Sequence, residues 1–242
     1  MTVGHPRLVV GPPGPLTSVF VCDSVVQPVD LQTVRASYDR VADNYVAMNV
    51  GDLAPATWLR AALGAFAEDV RALGPVLDVG CGPGTVTAHL AGLGIDVSGV
   101  DLSPRMIAHA RRLHPELRFA VASATDLDLA EASLGGVLGW WSLFNLPREV
   151  LPDVLASFAR ALVPGGQLLL GTHAGDGDIE RTEVYGMPVT WTTHLWLPEQ
   201  LTALLAETGL QPVAELRLPP TPAAASAPAL PAQVVLAARR PS

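Results

Sequence analysis

The run Leu77-Asp78-Val79-Gly80-Cys81-Gly82-Pro83-Gly84-Thr85, together with Asp101 twenty-one residues beyond Gly80, is where this 242-residue sequence is best equipped for chemistry. Apolar residues lead into the run and a helix-forming stretch leaves it. Glycine at alternate positions permits a tight turn and lets a ligand approach the main chain, while the helix that follows offers unpaired N–H groups. An acidic side chain closing the next strand suits a two-pronged grip on ribose hydroxyls. Together these features predict a nucleoside-containing ligand at the carboxyl ends of two neighbouring strands. The dinucleotide fingerprint G-x-G-x-x-G/A is not met, because Thr85 fills its last place, which disfavours a nicotinamide cofactor.

Two histidines stand where a second substrate would find a general base: His173, just beyond the fifth predicted strand, and His194, in the insertion that follows. For each, hydrogen bonding to a backbone carbonyl or packing beneath a covering element is the alternative. Trp140 and Trp141 end the fourth predicted strand, and Trp191 and Trp196 flank His194. They predict an apolar acceptor pocket, with strand alternation sending one of each pair to the core. His89, His109 and His114 read as surface residues. His173, Asp176 and Asp178 are ligand types for a metal, but the intervening Gly175 and Gly177 make a solvated turn, and no metal is expected.

The elements that must position these groups follow from periodicity. Val34, Tyr38, Val41, Tyr45 and Met48 form one stripe of a helix over residues 31–48, with Asp30 as its N-cap. A second helix covers residues 57–73. Short apolar strands are predicted at 76–79, 95–100, 118–122, 136–140 and 167–171. Helices lie between them at 85–93, after the Ser103-Pro104 cap, and at 147–162, where Pro152 is tolerable only in the first turn. Pro164-Gly165-Gly166 reads as a turn, residues 172–197 as loop-rich, and residues 198–208 as a helix stopped by Gly209. Strands at 213–218 and 233–238 flank a Pro/Ala-rich surface loop over 218–231. Alternating strands and helices predict a mostly parallel sheet covered on both faces.

Composition narrows the function. Hydrophobic residues make up 49% and charged residues 16%, the balance of a globular enzyme. All 15 basic residues are arginine against 23 acidic ones, so a lysine Schiff base is excluded. No basic run could track a phosphate backbone, and no nucleic-acid partner is expected; Arg105, Arg111, Arg112 and Arg118 read as a solvated helix face. Cys22 and Cys81 are too few for a disulfide framework and fit a reducing cytoplasm. No apolar segment reaches the ~18 residues needed to span a bilayer, and no membrane partner is expected. Residues 19–21 lack the small residue of a cleavage site. Residues 1–29 are read as a Pro/Gly-rich tail and residues 30–242 as the functional domain.

Residues 76–85 resemble motif I of the class I S-adenosylmethionine-dependent methyltransferases, in its DxGxGxG form. Gly99-Val100-Asp101-Leu102-Ser103-Pro104-Arg105-Met106 is similar to the family's second motif, and residues 119–127 to its third. Leu162-Val163-Pro164-Gly165-Gly166-Gln167 resembles the turn before its fifth strand, and residues 37–45 the lid helix of small-molecule members. The resemblance implies a three-layer, doubly wound, Rossmann-like α/β fold with a seven-stranded mostly parallel sheet and an N-terminal helical lid. It implies transfer of a methyl group from S-adenosyl-L-methionine to a small organic acceptor through an O, N or C nucleophile, leaving S-adenosyl-L-homocysteine. The arginine-only, Ala/Pro-rich composition points to a specialised metabolite as that acceptor. Gly80 and Gly82 would pack against the homocysteine moiety and Asp78 would order its amino end. Asp101 would hold the ribose, Leu102 and Met106 would flank the adenine, and the Ala124 N–H would meet the ring. Tyr38, Tyr45, Cys81, Ser123 and Trp140 complete the expected site, Ser123 standing where the family often has Asp. The alternative is a member of the fold that binds the cofactor but catalyses a non-methylating rearrangement or acts as a partner protein.

Overall fold

The computed structural model describes residues 29–221 and 230–242, with side chains from residue 31 onward. The expected tail, except its last residue, and residues 222–229 of the Pro/Ala-rich connection lie outside the described residues. Strands rich in Val and Leu form the centre of the sheet because a sheet covered on both faces must bury both sides of each strand. β1 (Val76–Val79) is buried throughout, and β4 (Leu134–Trp140) along all but its last residue. β2 (Val97–Asp101) and β3 (Arg118–Val121) lie beyond β1, while β5 (Leu162–Ala174), β9 (Ala232–Arg239) and β8 (Gln211–Leu218) lie beyond β4. The order is β3-β2-β1-β4-β5-β9-β8, and β9 runs antiparallel to both of its neighbours. This is the seven-stranded, mostly parallel sheet expected from the sequence.

Two apolar cores flank the sheet. On one side α5 (Leu151–Ala161) and α6 (Pro198–Glu207) contribute Leu155, Phe158, Leu201 and Leu205. On the other, α2 (Thr57–Val70) and α3 (Thr85–Gly92) contribute Leu63, Phe66, Val70 and Leu90. Fully burying a side chain such as Phe66 or Phe158 stabilises by roughly 1.5–3 kcal/mol. Pro152 does fall in the first turn of α5. α4 (Pro104–Leu113) opens as expected, with Pro104 in its first turn and the Ser103 hydroxyl accepting from the Met106 N–H at 3.1 Å.

Three expectations about elements need correction. The stretch over 172–197 is not loop-rich: β5 continues to Ala174, and β6 (Asp178–Val184) pairs with β7 (Met187–His194) as an antiparallel hairpin. Val189, Trp191 and Thr193 are buried at alternate positions of β7, which is the period-two signal of a strand with one covered face. Pro164-Gly165-Gly166 does not end a segment but bends inside β5, with Gly165 at φ +81° and the β4–β5 register shifting there. The first helix, α1 (Val29–Ala47), begins one residue before Asp30, so the cap is not at that position. Thr221 and Leu230, on either side of residues 222–229, are joined by an antiparallel bridge, which leaves the expected surface loop standing.

The apolar stripe of α1 meets the hairpin rather than the main sheet. Val34 and Val41 pack with Val189 and Trp191, and the Tyr38 ring stacks on Trp191 at 4.6 Å between centroids and 6° between planes. Helix and hairpin therefore form a unit with its own small core above the sheet's carboxyl edge. Among the described residues no helix is long and apolar enough to cross a membrane.

Candidate functional site

Strand order reverses between β1 and β4, since the chain builds outward through β2 and β3 on one side and through β5 on the other. Connections that part in this way leave a crevice beyond the strands' carboxyl ends. A cavity of about 370 Å³ opens there, floored by the glycine turn and roofed by residues of α1.

The turn takes its shape from glycine. Gly80, Gly82 and Gly84 have φ of +76°, +55° and +84°, a region that costs other residues a steric clash. The N–H groups of Gly80 and Cys81 both donate to the Val100 carbonyl, at 2.7 and 3.0 Å, which fastens the turn to the end of β2. Where Gly82 would carry a Cβ there is nothing within 4 Å, so its main chain is open to a ligand. At the end of β2, Asp101 Oδ2 accepts from Gly82 N and Oδ1 from Ser103 N, each at 2.8 Å. Burial lifts the Asp101 pKa to about 6, against the pull of those two N–H groups. Asp78 is 1% exposed; its Oδ2 accepts from the Thr87 hydroxyl at 2.6 Å, and its Oδ1 is buried with no partner. Burial raises its pKa to about 7, although the Thr87 bond opposes the rise.

Every residue expected at the cofactor site lines this one cavity: Tyr38 and Tyr45 from α1, Asp78, Gly80, Cys81 and Gly82 from β1 and its turn, Asp101, Leu102 and Met106 around β2, then Ser123, Ala124 and Trp140. The Ser123 hydroxyl is already engaged locally, capping a short turn by accepting from Thr125 N at 3.3 Å. Trp140 and Trp141 both line the cavity, against the alternation expected for a strand end. Trp141 has φ +49°, so the extended backbone on which alternation depends stops there. Trp191 instead backs Tyr38, and Trp196 lies beneath the Arg148 guanidinium at 4.5 Å.

The two histidines part company. His173 lines the cavity; burial lowers its pKa to about 4, with Arg181 adding to the fall, and its Nδ1 is buried without a partner. His194 is not among the cavity residues. Its Nδ1 lies 2.9 Å from Asp178 Oδ1, which also accepts from Arg148 at 2.8 Å, and Arg148 donates to the carbonyls of Gly177 and Leu195. That cluster fixes the base of the hairpin. Nor is His109 a free surface group, since its Nε2 lies 2.7 Å from Asp43 and links α4 to α1. The four arginines read as a solvated face also have partners: Arg105 binds Asp43, Arg111 the Phe119 carbonyl, Arg112 the His109 ring and Arg118 Asp96.

Three further residues do work that sequence reading missed. Asn145 accepts from the Tyr38 hydroxyl and donates to the Thr192 carbonyl, each at 2.9 Å, joining α1, the cavity wall and the hairpin. An isolated amide in the apolar run Leu143-Phe144-Asn145-Leu146 was the available signal. Ser142, which donates to the Val79 carbonyl beside Gly80, had none. Asp39 accepts from the Ser103 hydroxyl at 2.6 Å and from Arg105 N at 3.1 Å, at the N-terminus of α4 where negative charge is favourable. Since Ser103 N also holds Asp101, Asp39 ties the lid helix to the second carboxylate. Asp39→Ala is expected to destabilise by about 1–2 kcal/mol and to speed hydrogen exchange across α1. Unchanged protection of α1 amides would count against the tie.

Known proteins supply the context for this geometry. A family model described as "Methyltransferase domain" matches residues 76–166. The chain is 35% identical to the malonyl-[acyl-carrier protein] O-methyltransferase of Enterobacter lignolyticus over 149 residues, 62% of this chain and 57% of that one. It is 36% identical to the demethylmenaquinone methyltransferase of Beutenbergia cavernae over 113 residues, 47% of this chain and 45% of that one. It thus spans about half the length of these curated relatives. Among solved structures, the 1,6-didemethyltoxoflavin-N1-methyltransferase of Burkholderia thailandensis, with bound 1,6-didemethyltoxoflavin and S-adenosylhomocysteine, shares the fold at a TM-score of 0.60. Its identity is 22%, and the match covers 91% of this chain and 94% of that one. With the glycine turn, the β2 carboxylate and the seven-stranded order in place, residues 76–166 match the methyltransferase-domain family, and the chain as a whole has the fold of S-adenosylmethionine-dependent methyltransferases.

Proposed function

We propose that this chain binds S-adenosyl-L-methionine between the glycine turn and α1 and transfers its methyl group to a small organic acceptor held toward Trp140 and Trp141. The observation that carries the reading is the half-buried Asp101 carboxylate, bonded to the open main chain of the glycine turn inside a roofed cavity. The residues present fit the group. The unpartnered Asp78 Oδ1 is an acceptor suited to an ammonium donor, and the open space at Gly82 is a cradle that a Cβ would fill.

When bound, the cofactor supplies a methyl group already activated on a sulfonium sulfur. Asp101 accepts from the ribose hydroxyls while its oxygens remain held by Gly82 N and Ser103 N. Leu102 and Met106 offer apolar surface to the adenine, and Ala124 offers its N–H. Tyr38 and Tyr45, from α1, exclude water above the site. Positioning of the acceptor in line and in contact provides most of the acceleration, because well-oriented reactions within one complex gain on the order of 7–11 kcal/mol.

Calorimetry with S-adenosylhomocysteine tests the first half, and transfer of labelled methyl groups to a panel of small acceptors tests the second. Saturable heat and labelled product are the expected results. Binding without transfer to any acceptor would move the assignment to a non-methylating member of the fold, and no heat from well-folded protein would end it.

A further inference from the structure

We propose that the acceptor is an uncharged aromatic molecule bearing a hydroxyl group, whose proton passes to His173 as the oxygen takes the methyl group. The inference rests on the methyltransferase reading above and specifies its second substrate.

The walls beyond the glycine turn are aromatic. Trp140 and Trp141 meet edge to face at 4.9 Å, Phe144 lies 5.2 Å from the His173 ring, and Tyr45 and Tyr185 meet edge to face at 5.2 Å. Planar rings pack well against such offset and perpendicular surfaces. The polar groups of this region are mostly spent: Ser142 on Val79, Asn145 on Tyr38 and Thr192. His173 differs. It faces Gln233 across the β5–β9 pair, both line the cavity, and its buried Nδ1 has no partner. A buried ring nitrogen without a partner carries a cost that a hydroxyl donor would remove.

Charge excludes the obvious competitor. Among the described residues no arginine lines the cavity, and the chain contains no lysine, while Asp52, Asp78 and Asp101 all line it. A carboxylate acceptor would be buried among carboxylates with no cation on the cavity wall to pair with it, Arg181 acting on His173 only from outside the lining. A neutral hydroxyl avoids that cost. In the reaction an oxygen–methyl bond forms as the sulfur–methyl bond breaks, its electron pair going to sulfur, and the hydroxyl proton moves to the imidazole. One positive charge occupies the cavity before the step, on sulfonium, and one after it, on imidazolium. His173 is held neutral by its burial, as an acceptor of that proton must be.

The test uses 2-naphthol and 2-naphthoate, alike in ring size, titrated at pH 7 into the full chain saturated with S-adenosylhomocysteine. Naphthol is expected to bind at least tenfold more tightly. His173→Phe should weaken naphthol about fivefold or more, while His173→Gln, which keeps a hydrogen-bond acceptor, should retain most of the affinity. With the methyl donor, mass analysis should find the methyl ether and no methyl ester. Naphthoate binding as tightly as naphthol, neither compound binding, or His173→Phe leaving naphthol affinity unchanged would each overturn the proposal. Should His173→Phe fail to fold, the naphthol–naphthoate ratio of the unaltered chain decides alone. Failure of S-adenosylhomocysteine itself to bind is a separate result, which ends the underlying reading and this one with it.

Discussion

Replacing Gly80 with alanine is expected to lower the melting temperature by about 4–20 °C and to weaken S-adenosylhomocysteine binding at least tenfold. Two costs combine. The residue sits at φ +76°, where an L side chain is strained by roughly 1–2 kcal/mol. Its new Cβ would stand 2.2 Å from Ser142 Cβ and 2.9 Å from Ser142 Oγ, and overpacking of that kind costs about 1–3 kcal/mol. The sum is about 2–5 kcal/mol, and in a domain of this size each kcal/mol moves the melting point by about 2–4 °C. Relief of the clash by displacing the turn would break the Gly80 and Cys81 bonds to Val100 that set the cradle. A Ser142→Gly background removes the clash but not the φ penalty, so it should restore stability only in part. Calorimetric melting of the three variants checks this; wild-type stability and binding in the Gly80→Ala protein would refute it.

Asp101→Asn is expected to weaken cofactor binding about 100-fold, from the loss of two charge-assisted hydrogen bonds worth about 1.5–3 kcal/mol each, partly replaced by neutral ones. The amide is no isostere here. Both carboxylate oxygens accept main-chain N–H groups, from Gly82 and Ser103, so whichever way the amide turns, its NH₂ faces a donor. The pH dependence has a definite sign. With a folded pKa of about 6, raised by burial, Asp101 is ionised above that pH, and affinity should fall as pH drops through it. Stability of the empty protein should run the other way. A carboxyl whose pKa is raised on folding stabilises fully below its unfolded value of about 3.9 and loses that contribution as pH rises through about 6. Titrations of affinity and of melting temperature across pH 5–8 check both trends, and in Asp101→Asn the affinity step near pH 6 should vanish, leaving the one that Asp78, raised to about 7, contributes. A mutant that binds as tightly as the parent would remove Asp101 from the site.

Much of this was legible from local pattern. The glycines at 80, 82 and 84 declare a turn that only they can adopt, and Asp101 declares itself by following the next apolar run. Ser103-Pro104 marks a helix start whose cap bond is present in the fold. The hairpin is hard to read from local pattern because β6 is mostly polar and pairs only with β7, so its apolar signal is carried by a few residues, chiefly Val189 and Trp191. The two tryptophans were misjudged because a single left-handed backbone residue, Trp141, cancels the alternation.

Sequence alone determined the layered architecture, the glycine turn and the second-strand carboxylate, because each depends on residues within a few positions of one another and on backbone preferences that neighbours hardly alter. Tertiary structure decided which histidine joins the cavity: His173 and His194 look equivalent along the chain, yet a long β5 carries one to the site, while Asp178 and Arg148 hold the other at the hairpin base. It also decided that Asp39, 62 residues before Asp101, governs the same carboxylate through Ser103. Such links join segments far apart in the chain, and burial and charge at those meetings arise only once the core has brought them together.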